Sequence, residues 1–233
     1  MLILQPENRA MITVWGRRNS VNVQKVLWAL EELAIPYTRE NVGGSFGGNH
    51  DPDFLAMNPM GLVPVIRDGD VTMFESNAIL RYLCARYRAG ALRPTDHWSL
   101  AMAEQWMDWQ QLNFAPAVTQ IFMNMVRSLP ENRNDAVVAA GQRAAADALS
   151  IADAWLARHE WFAGHAFSCG DMVMGALLWR YMGLEIDKPE MPHVRRWLAA
   201  LEAREPFRRA VMAVPRARTL AAWTRIERER AEG

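Results

Sequence analysis

Two hydropathy rhythms alternate in the first third of the chain, and only one persists afterwards. Ile12–Trp15 reads as a short buried strand. Val23, Val26, Leu27, Leu30 and Leu33 recur at helical spacing, and Ile35-Pro36 closes the helix predicted over 23–33. A second strand fits 37–42, and 51–57 suits a short irregular helix. Strands over 63–66 and 71–74 flank the tight turn Asp68-Gly69-Asp70 as a hairpin. Ile79, Leu80, Leu83 and Cys84 then share the inner side of a helix over 77–87. Residues 1–10 show no period and read as a loose extension or an alternative start.

Strand signals end at the linker-like stretch 90–96, GALRPTD. Beyond it Trp98, Met102, Trp106, Trp109 and Asn113 fall three or four apart. An alanine-rich amphipathic helix is expected over 135–159, a buried helix over 167–181, and a shorter one over 192–204. Ser168 and Asp171 have the spacing of a capping box, a hydroxyl and an acid reciprocally satisfying helix-start donors, and read as structural. Gly43, Gly44, Gly47 and Gly48 mark a mobile loop. It is no phosphate cradle, because no Lys-Ser/Thr pair opens a helix after it.

Composition removes several function classes. The 233 residues suffice for one large domain or two compact ones. Net charge is zero and pI near 7.0, so nothing favours nucleic acid or an anionic membrane. No basic region precedes an apolar core at the N-terminus, and no apolar run approaches about 20 residues, so secretion and membrane spanning are not expected. Cys84 and Cys169 give neither a disulfide framework nor a metal spacing, which fits a reducing compartment. Ten tryptophans and fourteen methionines read first as helical core filling.

The most informative stretch is 58–83. Pro64 interrupts a strand-like run without an N–H to donate, so it belongs at an edge or bend, and Val63-Pro64 is a candidate for the cis isomer. Glu75-Ser76 opens a helix with an anion, a hydroxyl and free N–H groups together, suited to a zwitterionic ligand. This ordered combination resembles the glutathione-binding half of cytosolic glutathione transferases. The resemblance implies an α+β thioredoxin-like N-terminal domain over 11–89 followed by an all-α domain over 97–233. It implies glutathione as co-substrate with no metal, Val63 beside Pro64 pairing its backbone with the cysteinyl unit, and Glu75 and Ser76 holding the γ-glutamyl end. It also implies a homodimer, with a cytoplasmic location and a detoxification role as expectations.

The chemistry then belongs to the ligand's thiol, because neither cysteine is placed to act as a nucleophile. A thiol of pKa about 8.5 reacts as its thiolate, which a hydroxyl or amide donor at a helix N-terminus stabilises. The segment Gly16-Arg-Arg-Asn19-Ser20-Val-Asn22-Val-Gln-Lys25 supplies such donors. Ser20 is the first choice and Asn22 the second, with Asn19 a further glutathione contact. The pattern is similar to bacterial transferases of a Ser/Asn type. No tyrosine or cysteine stands near this turn, which disfavours the classes that use them. Arg17-Arg18 meets a carboxylate or a partner subunit, or stands as a solvated pair.

His50, next to Asn49, is expected to receive the glycyl carboxylate. Trp106, Gln110, Asn113 and Phe114, with Met123 and Arg127 farther along, are expected to line the hydrophobic-substrate site, a soft wall for small electrophiles. The tail from Trp223 onward reads as a fraying helix, and the sequence leaves open whether it folds over the cleft. The function these features imply is a glutathione transferase that activates the thiol for attack on an electrophile. Glutathione-dependent disulfide-bond reductase activity and non-catalytic ligand binding on the same fold are the alternatives.

Overall fold

The computed structural model describes residues 11–88 and 92–229. Ile12 and Val14, both fully buried, place β1 (Ile12–Trp15) at the centre of a four-stranded sheet ordered β2-β1-β3-β4. β2 (Tyr37–Glu40) runs parallel to it, as a strand–helix–strand crossover requires. β3 (Val65–Asp68) and β4 (Val71–Phe74) are antiparallel, with Val14 opposite Ile66 and Ile66 opposite Met73. Between β1 and β2 lies α1 (Val21–Glu32), and α2 (Pro52–Met57) precedes β3. α3 (Ser76–Arg88) packs against α1. The strand–helix–strand, strand–strand–helix order is therefore present. The third strand begins later than the periodicity suggests, because Pro64 cannot donate to the ladder.

Helices alone follow. α4 (His97–Trp109) runs through a wide π turn, Gln110–Phe114, directly into α5 (Ala115–Met125). Then come α6 (Asp135–Leu156), α7 (Cys169–Met182), α8 (Pro192–Glu202), the single turn α9 (Glu205–Phe207) and α10 (Leu220–Glu229). α6 ends at Leu156, three residues short of the expected 159.

The sheet-bearing part and the helical part share one core. Trp28 of α1 meets Phe207 edge-on at 4.7 Å, and Arg204 reaches back to Glu32 with Nη2 and Oε2 2.6 Å apart. α7 starts on the expected capping box. The Gly170 N–H donates to Ser168 Oγ at 3.2 Å, while Asp171 accepts from the Ser168 N–H at 2.9 Å, the Phe162 N–H at 3.0 Å and Trp197 Nε1 at 2.8 Å. Burial pushes the Asp171 carboxyl up to about 6 against the pull of those three donors and of the Ser168 hydroxyl, which donates at 3.2 Å. Cys84 and Cys169 are free and buried where α3 meets α7. A mutual hydrogen bond and then burial push the Cys84 thiol up, and neither cysteine lines the cavities described below.

Candidate active site

A cleft of about 340 Å³ opens where β1, β3 and α3 deliver their ends to the start of α1. Its wall combines Ser20 and Asn22 from α1's first turn, Val63 and Pro64, Glu75 and Ser76, and Arg17, Asn49, Asn58 and Gln111. The Val63-Pro64 bond is cis. Asn58, almost fully buried, fixes the loop before it. Its Nδ2 donates to the Leu62 carbonyl at 2.7 Å, and its Oδ1 accepts from the Met60 N–H at 3.1 Å. The Val63 backbone itself forms no hydrogen bond to the described residues.

Glu75 holds φ at +67°, a conformation that costs a non-glycine residue of order 1–3 kcal/mol. That turn starts α3 abruptly, so Ser76 is buried at its mouth with the free N–H groups of the first turn beside it. Beneath this turn lies Lys25, fully buried, its Nζ donating to Asn77 Oδ1 at 3.2 Å. Desolvation pulls Lys25 down to about 7, and the charge of nearby Glu75 opposes that shift.

Ser20 occupies the N-cap position of α1 with extended dihedrals, yet its hydroxyl makes no capping hydrogen bond. An ordinary cap serine would bond the helix N–H groups; this one is left to the cavity. Behind Ser20 and Asn22 lies a second cavity of about 170 Å³. It shares Arg17, Ser20 and Asn22 with the cleft and adds Val118, Thr119, Phe122, Met123 and Arg127 from α5 and its end, Leu177 and Arg180 from α7, and Trp223 from α10.

The tail closes the site from above. Glu227 of α10 lies 2.9 Å from Arg17 Nε and accepts from the Ser45 N–H at 2.8 Å. Gly44 permits this approach, since a Cβ there would collide with Glu227 and Arg17 and its φ is +63°. The expected tail helix is thus present to Glu229, and its remaining residues lie outside the described ones. Arg18 donates to the Arg209 carbonyl at 2.9 Å.

Several expected site residues lie elsewhere. Asn19 is buried away from the cleft beside a separate cavity of about 30 Å³, and Arg180 Nη2 donates to its carbonyl at 2.6 Å. His50 is exposed with its ring against Gly61, while Asn49 lines the cleft and donates to the Gly61 carbonyl at 2.8 Å. Trp106 is core, packed on Trp109, Trp155 and Phe162 at 4.8–5.6 Å. Gln110 and Phe114 are fully buried, and Asn113 is exposed and bonded to the Trp109 carbonyl. The reason is geometric. The apolar stripe of α4 points into the helical core, and the cavities are faced instead by Gln111 of the π turn and by Val118, Thr119 and Met123 of α5. Met123 and Arg127 do reach the second cavity. Among the described residues no group of His, Cys, Asp or Glu is placed to hold a metal ion, and no helix is long and apolar enough to cross a membrane.

Known proteins share this arrangement. A family model described as glutathione S-transferase, N-terminal domain, matches residues 19–86, and one described as glutathione S-transferase, C-terminal domain, matches 111–205. Glutathione S-transferase GstB of Escherichia coli (strain K12) is 42% identical over 204 residues, 87% of this chain and 98% of that protein. Glutathione S-transferase 3 of Zea mays is 34% identical over 214 residues, covering 88% and 96%. The glutathione-bound crystal structure of a theta class glutathione S-transferase from the citrus canker pathogen Xanthomonas axonopodis pv. citri superposes with a TM-score of 0.84 at 42% identity, covering 86% of this chain and 97% of that one.

Proposed function

The chain belongs to the glutathione transferase family, and from that premise we propose that Ser20 and Asn22 activate the glutathione thiol for attack on a small electrophile held in the adjoining cavity. Glutathione transferase is the activity its relatives carry, and the residues of the cleft fit the co-substrate. The observation that carries the reading is the uncommitted Ser20 hydroxyl at the wall common to both cavities. A donor there, with the N-terminal end of α1, stabilises a thiolate relative to its thiol.

In the remaining assignments, the unpaired Val63 backbone takes the extended peptide as an added strand. Glu75 and Ser76 take the γ-glutamyl amine and carboxylate, and Asn49 replaces His50 as a donor toward the glycyl end. The two-domain division at 11–89 and 97–233, a homodimer and a cytoplasmic location belong to the same proposal. Comparing conjugation of chlorodinitrobenzene with turnover of hydroxyethyl disulfide tests the reaction. Fast conjugation and slow disulfide turnover are expected. The reverse ranking would replace transferase with disulfide reductase, and silence in both would replace it with ligand binding.

A further inference from the structure

Resting on that reading of the cleft, we propose that the second substrate is an anion as well as an electrophile: a small apolar body bearing a carboxylate or a similar group, with Arg127 as its receptor. The cavity behind Ser20 and Asn22 holds about 170 Å³, and a cavity of about 150 Å³ already accommodates a benzene-sized body. Val118, Phe122, Met123 and Trp223 supply the apolar part of its wall. Arg17, Arg127 and Arg180 make the rest of the wall cationic.

Among the described residues, one carboxylate answers those three guanidinium groups. Glu227 lies against Arg17, so three cations against one anion leave two positive charges in excess. Arg180 commits an N–H to the Asn19 carbonyl and lies over the rings of Phe122 and Trp223 at 4.6 and 5.4 Å. The Arg127 guanidinium has neither an ion pair nor a hydrogen bond among the described residues; its partner is the face of Trp223, 5.0 Å away. Its place just past α5 suits the negative end of that helix, but this engages none of the five N–H donors of its fork.

Like charges gathered in a partly dry cavity repel and lose hydration. The strain registers on Arg180, which burial, with Arg17 and Arg127 alongside, pulls down to about 9. An anionic ligand relieves it, and a planar carboxylate matches the guanidinium fork in two parallel hydrogen bonds. With a halogenated substrate of this class, the glutathione sulfur bonds to the electrophilic carbon, the halide leaves with the bonding electrons, and the thiol proton has already passed to solvent. Arg127 makes no bond to the reacting atoms. It orients the substrate from its far end.

A chlorodinitrobenzoate and its methyl ester differ at the far end alone, by a charge and one methyl group. With the full chain, the acid should exceed the ester in kcat/KM by about tenfold or more after correction for their uncatalysed rates, with the preference shrinking as salt is added. Arg127→Gln should lower that preference about tenfold, and Arg127→Lys should restore part of it. Calorimetry with dinitrobenzoate and dinitrobenzamide, which carry no leaving group, reads binding without turnover; the wild type should bind the acid about tenfold more tightly, and Arg127→Gln should not. Equal handling of acid and ester by the wild type, or a preference that survives Arg127→Gln, overturns the proposal. Glutathione binding with no preference for the acid sinks this inference alone, whereas failure to bind glutathione sinks the reading of the cleft beneath it.

Discussion

Replacing Ser20 by alanine should separate chemistry from stability. The Ser20 side chain bonds no helix N–H, so the usual cost of losing a serine cap, about 1 kcal/mol, has no source here. A hydrogen bond to a charged sulfur is worth about 1.5–3 kcal/mol, or roughly 1–2 pKa units at 1.4 kcal/mol per unit. The N-terminus of α1 adds about 0.3–1 kcal/mol that the substitution leaves in place. A thiol near pKa 8.5 in solution should therefore fall to about 6.5 in the wild-type complex and return to within about one unit of its free value in Ser20→Ala. The thiolate fraction at pH 7 then drops about tenfold, and the rate of conjugation with it. Ultraviolet thiolate absorbance of the glutathione complex, titrated against pH, reads the shift, and urea unfolding reads stability. Asn22→Ala, titrated alongside, should give a smaller shift. An unmoved thiol pKa in Ser20→Ala with glutathione still bound would refute the assignment. So would a loss of stability equal to that of a true cap.

Two predictions concern groups outside that contact. Ser168→Ala removes a cap that is in use and should cost about 1 kcal/mol in urea unfolding while leaving the bound thiol pKa alone; an unchanged unfolding midpoint with lost turnover would contradict it. Lys25 has a folded pKa of about 7 against an ordinary 10.5, so between those values the unfolded chain binds the extra proton. Stability should rise with pH across that window, by up to about 1.4 kcal/mol per unit, and level off below about 7. Subtracting the profile of Lys25→Met isolates this site, and a flat difference from pH 7 to 10 would rule the linkage out.

What the sequence disclosed was local. The cis bond at Val63-Pro64 and the places of Glu75, Ser76 and Ser20 at the cleft were legible because each is a contiguous device whose position follows from adjacent residues. The second cavity was not. Helical period tells which face of α4 is apolar, and that face served the core; which flank meets a cleft depends on neighbours that periodicity does not contain. Arg180 and Trp223 arrive from more than a hundred residues beyond Ser20 along the chain. Asn19 and Asn22 read alike in sequence, yet the turn before α1 aims one at α7 and the other at the cleft. Lys25 did carry a signal, a cation inside the apolar stripe between Val23 and Val26, and the structure gives its use.

The grip of Arg180 on the Asn19 carbonyl, and of Arg18 on that of Arg209, ties the turn that aims Ser20 to the helical half. With the roles proposed for Ser20 and Arg127, sulfur acidity and substrate choice are therefore not separable modules in this protein. A chimera carrying a relative's helices on this sheet would inherit a different tilt of that turn, and its thiol would titrate differently before any new electrophile was offered to it.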